Sequence, residues 1–179
     1  MRYIALLRGI NVGGKNAVKM ADLKSCFESL KFENVSTYIN SGNVLFEAVR
    51  KSDAALVEEC SAAFAQRFGF SVPLAIISEK EYIEALSHSP NWWNNNPNHK
   101  NNAIFVIAPA TPDDIMNAVG KAKPEYEKVA AYGPVIFWTA PLKTFSRTRY
   151  SDVVTSSAYR NITIRNANTV TKLLELLQI

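Results

Sequence analysis

The segment Gly9-Ile10-Asn11-Val12-Gly13-Gly14-Lys15-Asn16 is the stretch whose residue types and spacing come nearest to a known chemistry. It satisfies GxxxxGK, but the phosphate-binding loop of an NTPase ends on Ser or Thr, whose hydroxyl ligates magnesium, and Asn16 is a poor substitute. A glycine-rich nest of backbone N–H groups that holds an anion without hydrolysing it needs no such hydroxyl. The competing explanation is a loop whose glycines serve tight turns, with Ile10 and Val12 packed inward.

Charge points the same way. The net charge is +4, and it is unevenly placed: residues 1–24 carry five basic groups and one acidic, and residues 143–172 carry six and one. Such runs are commonly solvated faces, and otherwise they attract an anionic ligand, either a small phosphate compound or nucleic acid. The remaining chemistry is sparse. Cys26 and Cys60 stand in helix-like stretches without a CxxC and read as buried small hydrophobes in a reducing, cytoplasmic compartment, so no metal site is expected. His88 and His99 fall at the joint between the halves, which leaves acid–base catalysis without agents and no cofactor identified. No secretory leader or membrane-length apolar run is visible, and the oligomeric state is open.

The elements that must position these groups follow from periodicity. Residues 3–8 form an apolar run without alternation, which suits a central strand covered on both faces. Met20, Leu23, Cys26, Phe27 and Leu30 recur at helical spacing, and residues 35–39 and 44–47 flank an Asn-Ser-Gly turn as a hairpin. Val57, Cys60, Phe64 and Phe68 predict a helix ended by Gly69, then come a short strand at 74–77 and a helix opened by Ser78 and Glu81. From residue 103 the order repeats. Thr111-Pro112-Asp113-Asp114 starts a helix, a hairpin turns at Tyr132-Gly133-Pro134, and Tyr150, Val153, Val154 and Ser157 predict another helix. A strand at 162–164 and a final helix on Val170, Leu173, Leu174 and Leu177 complete the chain.

The expectation is therefore an α+β protein of two tandem ferredoxin-like halves, each a βαββαβ alpha-beta plait with a trailing helix. Residues 1–88 would form the first plait, 89–101 an Asn- and Trp-rich linker, and 102–179 the second. Trp92 and Trp93 in that linker would plug a seam or, less simply, stack nucleobases. In a plait, the loop after the first strand and the first hairpin turn share one sheet edge. That would set Arg8, Asn11, Gly13, Gly14 and Lys15 opposite Ser41, Gly42 and Asn43, as a site for a small phosphate- or carboxylate-bearing ligand. In the second half, Arg147 and Arg149 would approach Arg165 and Asn166 at the start of the last helix, a second candidate anion site. An RNA-binding module is the alternative, because RNA-recognition domains share this strand order, but Tyr3, Phe46, Phe105, Phe137 and Trp138 lack its signature. A protein-interaction module without small-molecule ligand is the third.

The opening YIALLRGINVGGKN, the following VKM, the later TYINSGNVLF and the terminal TIRNANTVTKL resemble the bacterial family known as domain of unknown function 1697. The resemblance covers essentially the whole chain and implies the duplicated plait. It carries no catalytic residue over. Ala167 departs from the family pattern, which leads one to expect tryptophan there, so the resemblance implies no stacking role at that position.

Overall fold

The unbroken apolar run after Arg2 becomes an inner strand, as expected of a segment buried on both faces. In the computed structural model, which describes residues 1–178, β1 (Arg2–Leu7) lies between β3 (Asn43–Glu47) and β4 (Leu74–Ser78), with β2 (Glu33–Tyr38) outside β3. All pairings are antiparallel, and β1 meets β3 through Tyr3 opposite Phe46 and Ala5 opposite Val44. Tyr3, Ala5 and Leu7 form one face of a core with Phe27 of α1 (Met20–Ser29) and Leu56, Cys60 and Phe64 of α2 (Asp53–Phe68). Ser52 caps α2 by accepting from Ala55 N, and Gly69 ends it in the left-handed region that the missing Cβ permits.

A second four-stranded antiparallel sheet has the order β6 (Lys128–Tyr132), β7 (Val135–Pro141), β5 (His99–Val106), β8 (Ile162–Asn166). On it pack α4 (Pro112–Val119), opened by a capping box between Thr111 and Asp114, and α5 (Ala167–Leu177), capped by the Asn166 side chain. The chain divides into two compact units: Met1–Lys80 with Ile107–Pro109, and Glu81–Val106 with the chain from Ala110 onward.

Two findings correct the expectation of two ferredoxin-like halves with trailing helices. The crossover from β7 to β8 contains no α-helix but three 3-10 segments, Leu142–Arg147, Tyr150–Thr155 and Ser157–Asn161. Hydroxyls explain the difference. Thr148, Ser151, Thr155 and Ser156 each donate a side-chain bond to the carbonyl three residues back, and Thr148 N, Asp152 N and Ser156 N bond at the same spacing. That pattern draws the backbone into 3-10 turns instead of an α-helical ladder. The second correction concerns α3 (Glu79–Ser87), expected to trail the first half, which supplies its packing residues to the second unit. Its Tyr82 stacks on Phe105 at 5.8 Å and donates to Val170 O at 2.8 Å. The chain is thus an α+β protein with two four-stranded antiparallel sheets, and the repeated βαββαβ order does not hold.

Candidate functional site

The glycine-rich loop is stitched to the first hairpin turn by backbone and asparagine bonds. Leu7 N donates to Gly42 O at 2.8 Å, and Arg8 N donates to Pro73 O at 2.9 Å. Lys15 N then closes on Val12 O at 3.1 Å across Gly13 and Gly14, whose φ values of 59° and 74° suit a two-residue hairpin turn. Asn11 does most of the stitching. Its Nδ2 donates to Val18 O at 2.8 Å and Asn40 O at 3.0 Å, while its Oδ1 accepts from Val18 N at 2.8 Å. Asn43 is buried, with Nδ2 donating to Tyr38 O and to Ser41 Oγ. These bonds bring the loop and the 40–43 turn together and occupy the asparagine side chains. Lys15 is exposed and Arg8 half-exposed.

The second expected cluster divides among different partners. Arg165 is buried on β8, where its Nη1 donates to Thr163 Oγ1 at 2.9 Å and to Ile164 O at 3.0 Å. Desolvation pushes its pKa down to about 10, against the opposing influence of Tyr82. Arg147 and Arg149 are exposed and belong to the Glu127 loop. The buried Glu127 carboxylate accepts from Arg149 N at 2.7 Å, Lys123 N at 3.0 Å and Tyr150 N at 3.1 Å, while Lys123 Nζ donates to Arg147 O. The Arg147 guanidinium lies 5.9 Å from the Tyr126 ring centre. Asn166 borders a concave site.

That site arises from a strand overhang. β5 pairs with β7 from His99 onward but with β8 only from Asn102, so the edge of residues 99–101 stays open just where α5 begins. The space is a cavity of about 620 Å³, bordered by His99, Lys100 and Asn101 of β5, by Asn94, Asn95 and Asn96, and by Asn166, Ala167 and Asn168 at the start of α5. Among the described residues that line it, none is acidic. Asn166 Oδ1 accepts from Thr169 N at 2.9 Å, which leaves the first-turn amides of α5 as the partial positive end of an eleven-residue helix. Lys100 Nζ stands 4.1 Å from the centre of the Phe145 ring. A polar chain backs the cavity: Asn94 N donates to Asn101 Oδ1 at 3.1 Å, Thr139 Oγ1 donates to the same oxygen at 2.6 Å, and His99 Nδ1 lies 3.2 Å from Thr139 Oγ1.

The sequence expectation missed His99 and Lys100, because it ended the linker at residue 101 and started the strand only at Ala103. Their polar run offers no strand pattern, and a β7 partner for each position is the signal that places them. His88 goes elsewhere, stacked at 4.0 Å on Tyr132. Trp93 is buried, donates from Nε1 to Asn102 O at 2.9 Å and meets Phe137 edge-on. Tyr3, Phe46, Phe105, Phe137 and Trp138 are all buried, so none offers a base a stacking face. Cys26 and Cys60 are free and buried, and desolvation raises both thiols, Cys60 to about 12. Among the described residues no helix is long and apolar enough to cross a membrane.

No curated protein matches the chain. Among solved structures, the conserved bacterial protein SP0830 from Streptococcus pneumoniae is 34% identical over 98% of each chain, with a TM-score of 0.86. A protein described as unknown from Galdieria sulphuraria is 12% identical, covers 93% of this chain and 97% of its own, and has a TM-score of 0.24, too low to support an argument. The model of the family described as "Protein of unknown function (DUF1697)" matches residues 1–137, and with that span, more than half of its length, the chain belongs to this family.

Proposed function

We propose that the chain binds a small polar ligand carrying a phosphate or carboxylate group, and that it does so in the cavity at the start of α5. The observation that supports this is one cavity bordered by both Lys100 and the first turn of α5, with no carboxylate among the described residues that line it. Its volume of about 620 Å³ falls within the range of small-molecule sites, roughly 300–1,000 Å³. Asparagines suit such a ligand because each offers two donors and an acceptor without adding charge. The same ligand class at Arg8, Asn11, Gly13, Gly14 and Lys15, opposite Ser41, Gly42 and Asn43, is the competing location.

A thermal-shift screen of inorganic phosphate, phosphate monoesters and dicarboxylates against wild type, Lys100→Ala and Lys15→Ala tests the assignment. A binder at a hundred times its dissociation constant stabilises the native state by about 2.7 kcal/mol, a visible shift. Stabilisation that shrinks in Lys100→Ala but not in Lys15→Ala supports the cavity, and the converse moves the site to the glycine-rich loop. No shift with any of these anions overturns both.

A further inference from the structure

We infer that His99 presents a proton-free Nε2 as a fixed hydrogen-bond acceptor of the cavity, and that the cavity takes ligands pairing an anionic group with a hydroxyl or amine donor. The anionic half rests on the function proposed above; the acceptor half does not. It follows from the polarity of one hydrogen-bond chain. A backbone N–H can only donate, so the Asn101 atom that Asn94 N meets at 3.1 Å is the carbonyl oxygen Oδ1. That oxygen can only accept, so the hydroxyl proton of Thr139 points to it across 2.6 Å. A hydroxyl has one proton. Thr139 Oγ1 therefore faces His99 Nδ1, 3.2 Å away, with a lone pair, and Nδ1 must carry the proton.

In a neutral imidazole the other nitrogen then keeps its lone pair, which reverses the Nε2–H preference of a free histidine side chain. The sheet builds this arrangement. Asn101 and Thr139 are direct cross-strand partners on β5 and β7, and His99 stands two residues before Asn101 on the same strand. At the cavity wall Lys100 and the first turn of α5 donate, while each asparagine amide can either donate or accept. A ring held in one tautomer adds a fixed acceptor beside these groups, and it favours a ligand with a donor of its own, set apart from its anionic group.

Two-bond proton–nitrogen correlation spectra of labelled full-length protein, recorded above the histidine titration, read the tautomer directly. The expected pattern is a protonated Nδ1 and a pyridine-type Nε2 at His99, kept in Thr139→Ser and shifted toward Nε2–H in Thr139→Val. An Nε2–H ring in wild type overturns the acceptor half without any variant having to fold. For the ligand half, inorganic phosphate and glycerol 3-phosphate are titrated calorimetrically into wild type and His99→Phe. The hydroxyl-bearing probe is expected to bind about tenfold tighter to wild type only, the worth of one good hydrogen bond. Equal affinity of the two probes for wild type overturns the ligand half and leaves the anion site standing. Binding of neither overturns the ligand half, and it overturns the proposed function as well when the dicarboxylates of the thermal screen also give no shift.

Discussion

The Tyr82 hydroxyl donates to the carbonyl of Val170 at 2.8 Å, a buried bond spanning 88 residues of sequence that ties α3 to α5 within the second unit. Tyr82→Phe keeps the ring stacked on Phe105 and removes only this bond, so we expect a loss of about 1 kcal/mol in urea unfolding. The bond also has a pH signature. Burial raises the Tyr82 pKa well above its ordinary value of 10.0, so the unfolded chain releases this proton first. Its contribution is complete below that value and is lost as pH rises beyond it. Wild type should therefore lose stability more steeply than Tyr82→Phe above about pH 10; parallel curves would sink this assignment.

Glu127 holds its loop by accepting three backbone N–H groups, from Lys123, Arg149 and Tyr150. Glu127→Ala strands these donors, and a destabilisation of about 3 kcal/mol is expected by chemical denaturation. Glu127→Gln keeps one accepting oxygen and should recover part of it. Equal midpoints for wild type and the alanine variant would mean that water replaces the carboxylate at no cost.

Gly42 and Gly13 separate two reasons for a glycine. Both have positive φ, but a Cβ at Gly42 would lie 2.8 Å from Ile10 Cδ1 and 2.9 Å from Leu7 Cβ, whereas at Gly13 nothing lies within 4 Å. Gly13→Ala should cost only the left-handed backbone penalty, about 1 kcal/mol. Gly42→Ala adds overpacking of about 1–3 kcal/mol against two buried side chains. Thermal melts of the two variants should differ by several degrees, with Gly42→Ala lower.

Asn11 is expected to act through structure. Asn11→Ala removes the bonds to Val18 and Asn40, and an N–H left partly buried at Val18 should lower stability by about 1–2 kcal/mol. Asn11→Asp retains the acceptor for Val18 N but loses both donors. Amide exchange at Val18, measured by NMR, should accelerate in the alanine variant and much less in the aspartate one.

The parts of the fold visible in sequence are those that local chemistry dictates. The apolar run of β1 marks an inner strand, Thr111 and Asp114 mark the start of α4, and Gly69 marks the end of α2. The 3-10 crossover was hidden because Tyr150 and Val153 fit a spacing of three as well as an α-helix, and the deciding hydroxyl bonds carry no apolar signal. Arg165 was misread for a tertiary reason. It shares a strand face with Thr163, a polar pattern that suggests solvent, yet that face is buried near Tyr82 of α3, a helix that sequence order assigned to the other half. The cavity was half legible: Asn166 was placed by its helix start, whereas Lys100 and His99 depend on how far β5 outruns β8.

The assignment of α3 to the second unit also bears on modular exchange. A segment cut at residue 102 would leave behind Tyr82 and Trp93, the side chains that pack on Phe105 and Phe137, and would bare an aromatic sheet face to water. Recombination or fragment expression that preserves this face has its crossover point near Glu81, where the compact unit begins. In heritable terms, the asparagine-rich stretch that resembles a spacer is cargo that must travel with the C-terminal sheet.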